Sequence, residues 1–174
     1  MMNPNSINKL YWRFWFATTI LTGILAGFMI SHILQLGRFF TWCAETGVSI
    51  SNFTAFRIGN RPYDRIYDFF LLAHLIIGIT WVLLAFLSKR DRFERILAII
   101  AGLATVWVSI IFIFSGAGEA EEAFLSGTAD ASMTQYFALI NLPVHTSFAI
   151  IYFVSFFLLL VIAYRNLEFK TLES

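Results

Sequence analysis

Cysteine and charge are the scarcest features of this chain. Cys43 is its only cysteine, so the chain has no internal disulfide, no dithiol redox pair and no all-thiolate metal or cluster site. Only 13% of its residues are charged, and the formal net charge is +1. Such a balance offers no basic surface to neutralise the phosphates of a nucleic acid. Internal dithiol chemistry and nucleic-acid binding are therefore excluded.

Apolar residues take the place of the missing charge: 59% of the chain is hydrophobic and 18% is aromatic. A bilayer core of roughly 30 Å needs about 20 apolar residues in a helix. Four stretches have this length, namely Phe14–Leu36, Ile66–Leu87, Ile96–Ser115 and Phe137–Tyr164. The sequence predicts an all-α integral membrane four-helix bundle, a single domain in the lipid bilayer. The first stretch is interpreted as a retained helix, because it is longer than the apolar region of a usual signal peptide.

The orientation follows from the basic residues. The turn Ser88–Arg95 carries four of them, Lys89, Arg90, Arg92 and Arg95. Because Lys and Arg concentrate in cytoplasmic loops, this turn and both termini are predicted to be cytoplasmic, in a bacterial inner membrane. This N-in/C-in arrangement leaves residues 37–65 and 116–136 as two outer loops.

All three histidines fall in the outer halves of predicted spans, at His32, His74 and His145. A polar side chain in hydrocarbon usually faces the bundle interior or a functional cavity. Imidazoles bind Cu, Fe, Zn and haem iron, and nearby carboxylates could complete a mixed nitrogen and oxygen set. The predicted metal ligands are His32, His74, His145, Glu119 and Glu122. For haem b, the predicted axial pair is His74 with His145.

Other polar residues accompany these candidates. Tyr67, Asp68 and Asn141 are predicted to orient the imidazole rings. Gly23, Gly27 and Ser31 repeat at a spacing of four, which is typical of closely packed membrane helices. The plainer alternatives stay open: each histidine could hydrogen-bond a neighbouring helix, and the acidic residues could form a solvated loop.

Two short patterns resemble known families. His74-Leu-Ile-Ile-Gly78, Gly118-Glu-Ala-Glu-Glu122 and His145 resemble a pattern in small bacterial four-span membrane proteins of unassigned function, although their His-Pro signature is missing here. Leu21-Thr-Gly-Ile-Leu-Ala-Gly27 and Asn141-Leu-Pro-Val-His145 are similar to segments of anthrone-oxygenase-like membrane proteins. Both resemblances imply a four-span fold. The disulfide-generating quinone reductases of similar size need cysteine pairs, so that family is excluded.

These observations predict a membrane redox or metal-binding protein with an electron-transfer or oxidoreductase role. A first alternative is a non-catalytic accessory subunit that docks onto other membrane subunits or onto a second copy of itself. A second is a small transport component that relays protons or cations through His and Glu. The absence of paired Gly/Pro interruptions in the predicted spans argues against transport. Whether the protein is an enzyme stays open.

Overall fold

The computed structural model describes residues 4–60 and 65–172, and every regular element within them is helical. The elements are α1 (Pro4–Ser31), a π-helical segment (His32–Leu36), α2 (Gly37–Thr46), α3 (Ser51–Gly59), α4 (Ile66–Leu87), α5 (Arg92–Gly102), α6 (Ala104–Phe114), α7 (Ala117–Ser126) and α8 (Ala131–Leu172). The predicted all-α class is therefore confirmed for the described part of the chain.

Several helical stretches have the length and composition to cross a membrane. Three qualify on their own, Asn5–Thr46, Ile66–Leu87 and Ala131–Asn166. A fourth is formed if α5 and α6, which meet at a bend of 46°, are counted as one span. The prediction of membrane-spanning helices is confirmed at this level, and the second predicted span coincides with α4.

The helix boundaries differ from the predicted ones elsewhere. The two predicted outer loops contain helices, with α2 and α3 in the first and α7 in the second; residues 61–64 of the first loop lie outside the described residues. The third predicted span is interrupted at Leu103, which has φ −99° and ψ 18°. Hydropathy alone does not detect such a break, because the residues around it are all apolar or small.

One compact unit consists of the described residues up to Ala26, Phe70–Trp107, and those from Ile150 onward. Tyr11, Trp81, Leu159 and Ile162 are fully buried in its core. A close contact in this unit joins α4 to α5, where a Cβ added at Gly78 would lie 2.0 Å from the carbonyl oxygen of Gly102. Two backbones can approach this closely only where side chains are absent, so both glycines are required at the crossing.

The repeated small residues of α1 differ in their surroundings. A Cβ at Gly23 would lie 3.3 Å from the ring of Phe156, which is a close helix contact within the first unit. A Cβ at Gly27 would have nothing within 4 Å, and Ser31 is exposed. The packing interpretation of this motif is therefore supported at Gly23, and no residue in the described part of the chain packs against Gly27.

The second compact unit consists of the described residues in Gly27–Phe69 and Val108–Ala149. Its core contains Phe40, Cys43 and Ala120 together with Phe124 and Phe137, whose rings stack at 4.4 Å. These contacts join α2 and α7 to the first turns of α8. The start of α8 is fixed by Asp130, whose Oδ1 accepts the backbone N–H of Met133 at 2.7 Å. That hydrogen bond holds the pKa of Asp130 below its ordinary value.

Candidate functional site

Two of the three histidines meet in the second unit. The rings of His32 and His145 stack with their centroids 4.0 Å apart and their planes inclined by 25°. His32 begins the π-helical segment, and His145 lies on α8 two residues after Pro143. The two histidines are therefore far apart in sequence, and each lies at an irregular point of a helix.

Gly37 explains why the chain can place the His32 ring here. The backbone N–H of Gly37 donates to the carbonyl oxygen of His32, five residues earlier, which closes the π turn. A Cβ at Gly37 would lie 3.0 Å from Cδ2 and 3.1 Å from Nε2 of His32. Single π turns occur often at functional sites, and in this one the missing side chain of Gly37 makes room for an imidazole.

His145 is held by a backbone contact that fixes its protonation pattern. Its Nδ1–H donates to the carbonyl oxygen of Asn141 at 2.9 Å, and a carbonyl oxygen can only accept. The amide of Asn141 is itself anchored, since its Nδ2 donates to Gly37 O at 3.0 Å and to Thr41 Oγ1 at 3.1 Å. In the neutral ring of His145 the proton is therefore on Nδ1, and Nε2 is the acceptor nitrogen.

Glu121 lies opposite that nitrogen. Its Oε2 is 3.8 Å from Nε2 of His145, and the two side chains are 24% and 8% exposed. The two side chains form an ion pair when the imidazole of His145 is protonated. Glu121, His145 and His32 are called here the His–Glu cluster.

A partly open cavity of about 470 Å³ borders the His–Glu cluster, because Glu121 is also one of its lining residues. Five lining side chains are charged: Arg57, Arg65, Asp68, Glu121 and Glu122. The others include the rings of Phe53 and Tyr67. A volume of this size is in the range of small-molecule sites in proteins.

The carboxylates predicted as ligands, Glu119 and Glu122, have no described contact with a histidine. Glu119 is exposed, and Glu122 forms an ion pair with Arg57 at 2.9 Å. Sequence reasoning missed Glu121, although the period of α7 contains the signal. The buried positions of this helix are Ala117, Ala120, Phe124 and Leu125. Glu121 follows Ala117 by four residues and precedes Leu125 by four, so it lies on the same face.

His74 belongs to the first unit, where it is fully buried and bonded at both ring nitrogens. The hydroxyl of Thr22 donates to the carbonyl oxygen of Thr18 at 2.7 Å, so Nε2–H of His74 donates to Thr22 Oγ1 at 2.9 Å. Nδ1 of His74 then accepts the hydroxyl proton of Thr105 at 2.9 Å. The oxygen of Thr105 remains available to the hydroxyl of Tyr152 at 3.1 Å. One buried imidazole thus joins α1, α4, α6 and α8.

This network should contribute measurably to stability. Thr105→Val removes the bonds to His74 and Tyr152 and is expected to lower the free energy of unfolding by about 1 kcal/mol, a usual value for hydrogen bonds between membrane helices. Thr19→Val is the matched control, because the described hydrogen bond of the Thr19 hydroxyl runs to Trp15 O within its own helix. Denaturant titration in detergent micelles measures both. Equal stability of the two variants would contradict the interhelical role.

The described residues show no complete donor set for the predicted metal site. Within residues 4–60 and 65–172, no group of three or more His, Cys, Asp or Glu side chains could hold a metal ion. His74 and His145 belong to different units, and their pairing across haem stays a prediction. Binding of iron or another metal by His74 would require loss of one of its two hydroxyl contacts.

Comparison with protein-family models, with curated proteins and with solved structures finds no significant match to this chain. Both family resemblances of the short motifs therefore stay predictions. The described features that bear on function are the His–Glu cluster, the hydrogen-bond network of His74 and the cavity.

Proposed function

We propose that the protein is a small proton-transfer component of a membrane, with the His–Glu cluster as the group that takes up and releases the proton. The observation that carries this proposal is the contact between Nε2 of His145 and Oε2 of Glu121 at 3.8 Å. Glu121 contacts the buried imidazole of His145 and also lines the partly open cavity. A proton can therefore pass between solvent and this imidazole through Glu121. Ionisable groups inside membrane proteins commonly serve such relays.

The irregular helices support the same proposal. The sequence alone argued against transport because the predicted spans lacked paired interruptions. The helices nevertheless have a π-helical segment at His32–Leu36, a 46° bend between α5 and α6, and Pro143 inside α8. Interrupted helices line the substrate sites of many transporters, and two of these irregularities adjoin the stacked histidines.

The proposal includes the orientation of the protein in the membrane. The basic turn at Lys89 to Arg95 and both termini face the cytoplasm of a bacterial inner membrane, and the His–Glu cluster faces the outer side. Fusion of a reporter to the C-terminus tests this arrangement. Green fluorescent protein should fluoresce there, and alkaline phosphatase should be inactive. The opposite pair of results would contradict the orientation.

Proton flux through the purified protein in lipid vesicles tests the function itself. A potassium gradient with valinomycin makes the vesicle interior negative, and a trapped pH-sensitive dye records acidification. Vesicles with the protein should acidify several times faster than protein-free vesicles. Equal rates would contradict the proposal, and a fixed set of co-purifying subunits would then favour the accessory role.

A redox or metal-binding role is the second candidate, and two observations on the stacked histidines favour it. Nε2 of His32 is buried without a hydrogen-bond partner in the described part of the chain. The bond from His145 to a backbone carbonyl resembles the way metal-bound imidazoles are oriented. Mass spectrometry for Cu, Fe and Zn and a visible spectrum for haem test this candidate. Bound metal that is lost in His32→Ala and His145→Ala but kept in Glu119→Gln would support it.

A further inference from the structure

A second cavity, called here the turn cavity, has a volume of about 360 Å³, and its described lining belongs to the first compact unit. This lining comes from Asn8 on α1, residues 88–91 of the basic turn, Glu94 on α5, and Arg165 and Asn166 on α8. Each of these side chains is polar or charged. The described lining therefore suits an ionic ligand that accepts or donates hydrogen bonds.

The turn cavity lies at the ends of helical stretches that are long and apolar enough to cross a membrane. Its lining residues are Asn8 near the start of Asn5–Thr46, Ser88 directly after Ile66–Leu87, and Asn166 at the end of Ala131–Asn166. Just before the turn, α4 exposes the apolar side chains of Phe86 and Leu87. A boundary between apolar helix surface and polar residues lies at the level of the phospholipid headgroups.

The carboxylates of the described lining are paired with its guanidinium groups. Oδ2 of Asp91 lies 2.9 Å from Nη2 of Arg165, and Oδ1 of Asp91 accepts the backbone N–H of Glu94 at 2.8 Å. The buried Glu94 accepts a hydrogen bond from Asn166 and lies 3.6 Å from Nε of Arg90. Each of these two carboxylates therefore has a cationic partner within the protein.

Arg90 fixes the walls of the turn cavity. Its guanidinium lies over the ring of Tyr11 at 4.1 Å, and it donates to Oδ1 of Asn8 and, at 3.3 Å, to Oδ1 of Asn166. One side chain thereby joins α1, the turn and α8. Because Asn8 accepts this bond through its oxygen, its Nδ2 keeps two N–H donors, which have no acceptor in the described part of the chain.

Lys89 supplies a second group of donors. Within residues 4–60 and 65–172, its side chain has no ion pair or hydrogen bond. Lys89 ends α4 in a Schellman turn, in which its N–H donates to Phe86 O at 3.1 Å and the N–H of Arg90 donates to Ala85 O at 3.2 Å. Its φ is 54°, and glycine is the usual residue at this position. A lysine here instead gives the cavity an ammonium group.

We infer that the turn cavity binds the phosphate group of an anionic phospholipid, through hydrogen bonds from the ammonium group of Lys89 and the amide of Asn8. Phosphate oxygens accept strong hydrogen bonds from charged donors, and basic pockets between membrane helices bind anionic headgroups. Because the described carboxylates are already paired, a headgroup without an ammonium group fits better than a zwitterionic one. Free phosphate offers the same chemistry, but the helix ends beside the cavity favour a lipid.

Titration of the full chain in detergent micelles with phosphatidylglycerol, followed by native mass spectrometry, tests the inference. Wild type should bind one phosphatidylglycerol in preference to phosphatidylcholine with the same acyl chains. Lys89→Gln should weaken this binding about tenfold, because it removes a hydrogen bond from a charged group. Lys89→Arg, which keeps the charge, should bind better than Lys89→Gln.

Two further variants control for charge and for folding. Arg92→Gln removes a positive charge from an exposed position of the same turn that is not part of the described lining, and this variant should bind like wild type. Lys89→Gly removes the side chain at a position where glycine adopts the left-handed conformation without strain. It should therefore be at least as stable as wild type in a denaturant titration and yet bind phosphatidylglycerol as weakly as Lys89→Gln.

Several results would overturn the inference. They are equal binding by wild type and Lys89→Gln, an equal loss in Arg92→Gln, and no preference for phosphatidylglycerol over phosphatidylcholine. Stabilisation of the protein by inorganic phosphate but not by phosphatidylglycerol would also overturn it, because the ligand would then be a soluble anion. None of these measurements involves proton flux, so the inference and the proposed function can fail separately.

Discussion

Replacement of Glu121 by glutamine is expected to lower the proton flux of reconstituted vesicles at least tenfold. Glutamine has nearly the same shape but cannot carry a proton or stabilise the imidazolium of His145. Two unit charges at 3.8 Å interact by about 4 kcal/mol at an effective dielectric constant of about 20. Loss of even a third of that energy changes an equilibrium about tenfold. The initial rate of dye acidification measures the effect.

Two neighbouring acids provide the controls for this variant. Glu119→Gln removes a charge from an exposed position of the same helix, and Glu122→Gln removes the partner of Arg57. Neither side chain contacts His145 among the described interactions, so each variant should keep most of the flux. Loss of flux in all three variants would indicate a general effect of acidic charge and would contradict a specific role for Glu121.

The largest effect on stability is expected at Gly78. In Gly78→Ala the new methyl group would lie 2.0 Å from the carbonyl oxygen of Gly102, so the backbones of α4 and α5 must separate. Overpacking of this kind costs about 1–3 kcal/mol. The cost spreads to the hydrogen-bond network, because His74 precedes Gly78 by one turn and Thr105 follows Gly102 by three residues. Denaturant titration in micelles should show the loss.

Gly27→Ala is the matched control for that variant. A Cβ at Gly27 would meet nothing within 4 Å, and alanine has a higher helix propensity than glycine by about 1 kcal/mol. This variant should be as stable as wild type or slightly more stable. If Gly78→Ala were equally well tolerated, the close crossing of α4 and α5 would be contradicted.

The sequence predicted the helical class and the apolar helices because hydropathy depends on composition over a window of residues. It predicted α4 to the residue, since Arg65 and Ser88 bound a run interrupted by a single charge, Asp68. It did not predict the break at Leu103, which coincides with a backbone crossing between residues that are distant in sequence. The helices inside the predicted outer loops were also missed, because their apolar faces are short.

The candidate site was predicted in part. All three histidines lie in the outer halves of the predicted membrane spans, which indicated that some of them are in contact. His32 and His145 are in contact. Depth along a helix does not give the direction of a side chain, and His74 instead bonds Thr22 and Thr105 in the other unit. The stacked arrangement depends on the π turn that Gly37 permits, and a π turn has no recognisable sequence pattern of its own.

The central claim is that Glu121 and His145 act together on one proton, and a double-mutant comparison of proton flux tests it most directly. Wild type, Glu121→Gln, His145→Gln and the double variant are reconstituted at equal density, and their initial acidification rates are compared. If the two groups act as one unit, the double variant should be no slower than the slower single variant. Separate losses that multiply in the double variant, or a single variant with the flux of wild type, would contradict the claim.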